Sequence, residues 1–473
     1  MRVYFGLLGC RLNEAEIERW QRQFESAGCS VTQTAEQADL IVFNSCAVTA
    51  EAVRKTRQSI NRLRRQNQNA RIVLSGCAVS LDSESGYQPE AGSDRSNDVA
   101  PSPVDLIIAN NDKEDLVKTS LSTLFPNQFL KQQRTKTERE QSTNQSQSVQ
   151  TITPTHTADS AHRLAGGLNY PVIPLHVDGS KAVDDHDSAK PNAKLTAEDN
   201  DNLTTGRKRQ RAFLKIQDGC RYKCTYCIVT QARGEERSHS IESLVAEVQA
   251  MEAAGMQEVV LTGVHVGGYG SDTGESLSSL VSALINDTSM PRIRFASVEP
   301  WDLEPALLRL FDNKRLMPHM HLPLQSGADS VLKRMARRCR TSEFKHLVDS
   351  LRNQYPDFNV TTDIIVGFPG ESEKEWQQTM AFAQEMAFGH IHVFPFSART
   401  GTHAATLTDQ VNPAVKKSRA EQLRLLAQQS RRNYLQRFVG SAVDVLWESG
   451  KACLLYTSPS PRDQRGSRMP SSA

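Results

Sequence analysis

The chain has 473 residues, and its 56 basic and 54 acidic side chains leave a formal charge of +2. That balance excludes recognition of any partner by net charge alone. At roughly 150 residues per domain the length leaves room for about three domains, and 38% hydrophobic residues suffice for packed cores if part of the chain lies outside them. The N-terminal stretch Asn13 to Phe24 is charged and amphipathic rather than an apolar signal core. No uncharged run approaches the roughly 18 residues a bilayer span requires, so a cytoplasmic protein with no membrane contact is expected. Nine cysteines, an odd number in a large chain, argue against a disulfide framework and leave metal binding, redox chemistry or burial.

From Met1 to about Phe125 short apolar runs alternate with amphipathic stretches: Val3 to Leu8, a helix from Asn13, Leu40 to Phe43, a helix from Thr49, then Ile72 to Leu74. This βαβαβ pattern predicts an open, flavodoxin-like parallel sheet, closed by Val104 to Ala109 and the segment Asp112 to Leu124. A polar patch from about Leu81 to Pro103 reads as a surface loop. From about Pro126 to Gly206 the composition turns to Gln, Thr, Ser, Asn, Asp and Lys, which predicts a disordered insertion. Strands are then expected at Ala212 to Ile216, Glu258 to Thr262, Arg292 to Ser297, His319 to Leu324, Asn359 to Val366 and His390 to Phe396. Helical patterns separate them, so the local signal fits a partial (β/α)6 barrel, although an open doubly wound sheet has the same signature. Asn412-Pro413 opens a helix to about Phe438 whose seven basic residues against Glu421 give +6, either a solvated face or one turned toward RNA. Phe438 to Glu448 reads as the first strand of a further small β domain. Cys453 to Asp463 match, residue for residue, the in-frame translation of a transposon-based sequencing adapter, so the natural sequence is expected to end near Ala452.

The cysteines sort by position. Cys220, Cys224 and Cys227 form C-x3-C-x2-C in the loop after the first predicted barrel strand. Three thiolates at this spacing suit three irons of a cubane, leaving one iron open to chelate S-adenosylmethionine (SAM); the alternative is zinc, with His239 as a fourth ligand. Cys10, Cys46 and Cys77 each follow one of the first three predicted strands, whose C-terminal ends share the sheet edge where ligands bind. They suit a second cluster, or are three buried cysteines acting as small apolar residues. Cys29 and Cys339 read as packing residues.

The stretch from Cys220 to Cys227 followed by Ala232-Arg233-Gly234-Glu235-Glu236-Arg237-Ser238 resembles the core of the radical SAM methylthiotransferases. Gly9-Cys10-Arg11-Leu12-Asn13, Asn44-Ser45-Cys46-Ala47-Val48-Thr49 and Ser75-Gly76-Cys77 resemble the three motifs that hold the family's auxiliary cluster. Ile216-Gln217-Asp218-Gly219-Cys220, Leu261-Thr262-Gly263, His321 to Gly327 and His392 to Ser397 most resemble the MtaB branch. Departures are Thr230 in place of a usual proline, Cys339 in place of a usual aromatic, the insertion, and a C-terminal RNA-binding TRAM barrel of which only Phe438 to Glu448 appears.

The resemblance implies methylthiolation of C2 of N6-threonylcarbamoyladenosine at position 37 of tRNA. It implies two [4Fe-4S] clusters, with Cys10, Cys46, Cys77 and Cys220, Cys224, Cys227 as metal ligands, and SAM as both radical source and methyl donor. The 5′-deoxyadenosyl radical takes hydrogen from C2, and sulfur carried on the auxiliary cluster is delivered there. Tyr226, Thr262, Gly263, Ser297, Glu299, Gln325, Asp363 and Val366 are the expected SAM contacts. Arg233 and Arg237 are expected to meet the substrate through phosphate or the threonylcarbamoyl group. Partners implied are the tRNA anticodon stem-loop, an electron donor such as flavodoxin or ferredoxin, and a sulfur donor. Alternatives are action on isopentenyladenosine in tRNA, action on an aspartate of a ribosomal protein, or a cluster-binding but inactive truncated product. The expected division is 1–126 (auxiliary cluster), 127–206 (insertion), 207–412 (radical SAM barrel), 413–452 (basic helix and start of the TRAM domain) and 453–473 (adapter translation).

Overall fold

A computed structural model describes residues 1–81, 103–127 and 210–446. The expected insertion, most of the polar loop and the adapter-like tail lie outside the described residues.

The N-terminal half is a parallel sheet of β1 (Arg2–Leu7), β2 (Ser30–Val31), β3 (Leu40–Ser45), β4 (Arg71–Gly76) and β5 (Leu106–Ile108), in the order β2-β1-β3-β4-β5. Helices α1 (Arg11–Ser26), α2 (Ala50–Gln66) and α3 (Leu116–Leu124) cover it. Alternation along the strands supplies both faces. Val3, Phe5, Leu40, Val42 and Val73 pack with Ile17, Trp20 and Phe24 of α1 and Leu116 and Leu121 of α3. Tyr4, Ile41, Phe43, Ile72 and Leu74 pack with Ile60 and Leu63 of α2. A sheet buried on both faces explains why β3 is buried at every residue. The edge strand β2 was not expected, because two residues carry no alternation to read.

The second half has the six expected barrel strands: β6 (Arg211–Lys215), β9 (Glu258–Thr262), β10 (Arg292–Phe295), β11 (His319–His321), β12 (Asn359–Val366) and β13 (His390–Pro395). Between β6 and β9 lies an unanticipated antiparallel ribbon, β7 (Gln217–Asp218) with β8 (Arg237–Ser238). The barrel strands form two parallel sheets of three, β6-β9-β10 and β11-β12-β13. Single bridges at Ile293–Leu316 and Ser297–His321 join them, giving a partial barrel rather than an open doubly wound sheet. Its outer helices are α5 (Ile241–Ala253), α6 (Leu277–Asp287), α7 (Pro305–Arg309), α8 (Asp329–Arg334), α9 (Thr341–Gln354), α10 (Glu373–Met386) and α11 (Pro413–Gln436); the short α4 (Val229–Arg233) follows the cysteine loop.

The N-terminal half closes one side of this barrel. Ala15 of α1 packs on Phe213, Val260 and Ala296, which face inward from β6, β9 and the end of β10. The Glu18 carboxylate accepts from the Phe213 backbone N–H at 3.1 Å, which satisfies a donor on the unpaired edge of β6.

Two C-terminal expectations change. No strand forms over 438–446, where turns and irregular backbone follow α11, since a lone strand has no partner to take its hydrogen bonds. In α11, Arg419 is not on a solvent face: it is buried against Glu371 at 2.7 Å and also reaches Glu373. Lys417, Arg424 and Arg431, seven residues apart, remain exposed on one face.

Candidate active site

Each triplet is assembled by backbone that only glycine permits. Gly76 has φ +108°, and a Cβ there would sit 2.2 Å from the Ser45 carbonyl oxygen. Gly219 has φ +75°, and a Cβ would meet the Glu235 carbonyl oxygen at 1.8 Å. Each glycine therefore lets the chain turn against its neighbour and sets the following cysteine, Cys77 or Cys220, at the strand end.

Cys10, Cys46 and Cys77 follow the C-terminal ends of the adjacent strands β1, β3 and β4. Burial pushes the Cys46 thiol up to about 11, and the proximity of Cys77 and Cys10 adds to the rise. In the other loop burial pushes Cys220 up to about 12, and Cys227 and Cys224 add to it. Cys227 is raised to about 11 by burial first, with Cys224 and Glu299 adding to it. The raised values keep Cys46, Cys220 and Cys227 as neutral thiols in the bare protein, and a bound cation beside them would favour their thiolates instead. The Tyr222 backbone N–H points at Cys220 Sγ at 3.4 Å and the Val48 N–H at Cys46 Sγ at 3.5 Å.

The two sets sit at opposite ends of α4. This helix starts two residues after Cys227, and Ala232 near its end packs with Cys77, Ala47 and Ala78. Five residues at a rise of about 1.5 Å make it roughly 8 Å long.

Arg233, the last residue of α4, is 2% exposed and does not face a substrate as expected. Its Nε donates to Cys77 Sγ at 3.1 Å, and Nη1 donates to Glu16 at 2.9 Å and Asp218 at 3.0 Å. Its Nη2 donates to Asn13 at 3.2 Å. Lys113 and Lys215 complete the group, at 2.6 Å from Glu16 and 2.8 Å from Asp218. Burial pushes the Glu16 carboxyl up, but Arg233, Lys113 and Lys215 outweigh it and hold it well below its ordinary value. The three buried cations face two buried carboxylates and the half-exposed Glu114, which lies 3.6 Å from Lys215. Arg233 thereby fixes the Cys77 sulfur from its buried side. Nothing local in the sequence marks Glu16, Lys113 or Lys215; the only signal is a lysine at an inward position of a barrel strand.

The Radical SAM superfamily profile matches residues 214–383 and that of uncharacterized protein family UPF0004 matches residues 2–93. The threonylcarbamoyladenosine tRNA methylthiotransferase MtaB of Thermotoga maritima is 31% identical over 93% of this chain and 85% of its own. The chain belongs to the radical SAM methylthiotransferase family. The Bacillus subtilis MtaB is 31% identical over 94% of this chain and 84% of its own, and the tRNA-2-methylthio-N(6)-dimethylallyladenosine synthase of Chloroflexus aurantiacus is 29% identical over 94% and 81%. Among solved structures, the radical S-adenosylmethionine methyltransferase TsrM of Kitasatospora setae, with cobalamin and a [4Fe-4S] cluster bound, shares the fold at TM-score 0.50 and 12% identity, over 85% of this chain and 74% of that one.

In this methylthiotransferase most of the expected SAM contacts lie around the barrel rim above Cys220, Cys224 and Cys227. Thr262 and Gly263 end β9, the threonine buried. Ser297 is exposed beyond β10, while Glu299 is bound by Arg337, whose Nη1 and Nη2 donate to its two oxygens at 3.2 and 2.5 Å. Sequence reasoning missed Arg337, one of three arginines around Cys339. It also donates to the Pro323 carbonyl at 2.6 Å, lies over the Trp301 ring at 4.5 Å and points at Cys224 Sγ at 3.9 Å. Tyr226 packs against the buried cluster of Ala328, Phe368, Phe396 and Ala404, and burial raises its phenol well above the ordinary range. Gln325 has φ +77°, and its carbonyl accepts from the Ile365 N–H at 2.9 Å. The Val366 side chain is fully buried in the barrel core, leaving only its backbone at the rim. Asp363 is below the rim, inside the barrel, with Oδ1 at 3.2 Å from His321 Nε2. Arg237 is exposed on β8 and donates to the Arg233 carbonyl at 3.2 Å.

His265 braces the cysteine loop from outside. Its two ring nitrogens lie 2.6 Å from Glu236 and 2.6 Å from Asp302, and Asp302 also accepts from the Tyr222 hydroxyl at 3.1 Å. Among the described residues no helix is long and apolar enough to cross a membrane.

Proposed function

We propose that this chain methylthiolates C2 of N6-threonylcarbamoyladenosine beside the anticodon of tRNA, with residues 1–126 and 207–412 as its two working halves. The reading rests on one arrangement, two cysteine triplets from separate halves held at the two ends of α4, taken with the activity named for the MtaB relatives. Cys220, Cys224 and Cys227 hold one [4Fe-4S] cluster, and Cys10, Cys46 and Cys77 hold the other. When bound, these clusters and SAM supply the one-electron cleavage and sulfur transfer that functionalise an otherwise inert aromatic carbon. Glu299, fixed by Arg337, and the rim residues Thr262, Gly263, Ser297 and Gln325 orient SAM. Tyr226 keeps water from the loop sulfurs. Arg233 fixes Cys77 relative to the other triplet, and the exposed Arg237 meets tRNA phosphate. A flavodoxin or ferredoxin and a separate sulfur donor complete the partners.

The test is nucleoside mass spectrometry of tRNA from a strain lacking its own enzyme and complemented with this gene. Restored 2-methylthio-N6-threonylcarbamoyladenosine is the expected result, and unchanged methylthio content overturns the assignment. The dimethylallyladenosine synthase relative of Chloroflexus aurantiacus supplies the competing substrate, and the same measurement separates the two modified nucleosides.

A further inference from the structure

The loop that follows β9 carries a buried histidine that neither cysteine triplet uses as a ligand. His265 is 2% exposed, with one ring nitrogen 2.6 Å from a Glu236 carboxylate oxygen and the other 2.6 Å from Asp302. Two glycines make room for it: a Cβ at Gly268 would sit 2.2 Å from His265 Nδ1, and one at Gly267 would sit 2.6 Å from the Asp302 Cβ. Each carboxylate passes the contact on to the cysteine loop. Asp302 accepts from the Tyr222 hydroxyl at 3.1 Å, and Glu236 accepts from the Arg221 backbone N–H at 3.2 Å. The Tyr222 ring itself stands 4.7 Å from the imidazole, edge to face.

The backbone of the same residue holds the other side of Cys220. The His265 N–H donates to the Gln217 side-chain oxygen at 2.9 Å, and the Gln217 amide nitrogen donates to the Asp218 and Gly219 carbonyls at 2.8 and 2.7 Å. Those bonds fix the turn into Cys220. Thr262 and Gly263, the expected SAM contacts at the end of β9, lie three and two residues before His265. One residue thus ties the chain on both sides of Cys220 to the strand end that faces SAM.

Cys220, Glu236 and His265 stand close enough to suggest a separate metal centre. However, both imidazole nitrogens are spent on carboxylates, the Arg221 guanidinium lies 3.4 Å from Glu236, and Cys220 belongs to its triplet. A hydrogen-bonded imidazole one contact away from a metal-binding loop has instead the form of an outer support, which orients ligands without touching the metal.

We propose that His265 is a positioning residue for SAM. Through Asp302, Glu236 and Gln217 it holds the Cys220 loop in register with the end of β9, so that the loop and the rim contacts of SAM move as one unit. This rests on the reading of Cys220, Cys224 and Cys227 as the SAM-binding cluster and adds what sets that cluster against the rim.

The experiment measures the KM for SAM and kcat of dithionite-driven SAM cleavage by the reconstituted full chain, together with iron content. His265→Ala is expected to keep its iron and to raise the KM for SAM by about tenfold or more, the scale of a lost outer support. Added imidazole is expected to lower that KM again, since the vacated ring position borders a cavity of about 490 Å³ lined by Gly267, Gly268 and Asp302. Tyr222→Phe removes one hydroxyl from a half-buried ring and carries the test should His265→Ala not fold. It is expected to raise the KM for SAM by about fivefold, the worth of one hydrogen bond, and imidazole is expected not to reverse that rise. In the metal-free chain, iodoacetamide is expected to label Cys220 faster in both variants than in the wild type and Cys77 at the same rate, read by mass spectrometry. A KM for SAM or a Cys220 labelling rate that stays at the wild-type value in these variants overturns the positioning role while leaving the cluster reading intact. A wild type that takes up no iron at Cys220, Cys224 and Cys227 overturns both.

Discussion

Arg233 donates to Cys77 Sγ at 3.1 Å across 156 residues of sequence, while its Nη1 is shared between Glu16 and Asp218. One guanidinium thus joins a cysteine of the first triplet, a helix of the N-terminal half and the strand residue two before Cys220. Arg233→Ala leaves two buried carboxylates facing only lysines and removes the packing of the stem. Breaking a buried pair in this way costs about 3–5 kcal/mol. The expected outcome is a large fall in melting temperature together with loss of iron from the Cys10, Cys46 and Cys77 set. Arg233→Lys keeps the charge but offers one donor group where three donor directions are used, so it should retain the fold and lose the Cys77 contact. A denaturant titration showing Arg233→Ala as stable as the wild type would refute this role.

Each cysteine triplet is expected to load independently, because its sulfurs come from a single half of the chain. After anaerobic reconstitution, Cys220→Ala and Cys77→Ala should each lose about half of the iron and sulfide. A double variant should lose nearly all of it. Cys29→Ala should lose none, since Cys29 is buried in the N-terminal core. Full iron in Cys77→Ala would mean that the N-terminal set binds no cluster.

The barrel was legible because its signal is local. Alternating strands such as Asn359 to Val366, followed by amphipathic helices, carry their own periodicity, and glycine before cysteine marks the strand ends. Arg233 was misread because Arg-Gly-Glu-Glu-Arg resembles an exposed polar turn. Its burial depends on Asn13, Glu16 and Cys77, more than 150 residues away in sequence, and no local pattern encodes that meeting. Arg337 was missed for the same reason, as its partners Glu299 and Pro323 belong to other βα units.

Acid sensitivity is expected at α10. Ser372 caps this helix, and Glu375 returns the hydrogen bond to the Ser372 backbone N–H at 2.8 Å while pairing with Arg334. Burial alone would raise the Glu375 carboxyl, yet Arg334, Ser330 and Ser372 lower it to about 2. A depressed carboxylate contributes stability that is fully present above its unfolded value of about 4.3. That contribution is lost as pH falls through the folded value of about 2. Denaturation of the wild type and of Glu375→Gln should therefore differ by about 1 kcal/mol or more at pH 6, the scale of a lost cap, and converge towards pH 2. A difference that stays constant over this range would show that Glu375 contributes through packing rather than charge.

Gln325 separates strain from function at the rim. Its φ of +77° is in the left-handed region, which costs a non-glycine residue about 1–2 kcal/mol, and its side-chain amide has no hydrogen bond among the described residues. Its backbone is nonetheless fixed, donating to the Asp363 carbonyl at 2.8 Å and accepting from the Ile365 N–H. Glycine adopts this conformation freely but adds unfolded-state entropy of about 0.4–1 kcal/mol. Gln325→Gly should therefore leave the melting temperature unchanged or slightly raised. If the amide serves SAM, the same variant should raise the KM for SAM several-fold with little change in tRNA binding. Paired measurement of thermal stability and SAM dependence checks both halves, and a variant with unchanged SAM dependence would assign Gln325 to the backbone turn alone.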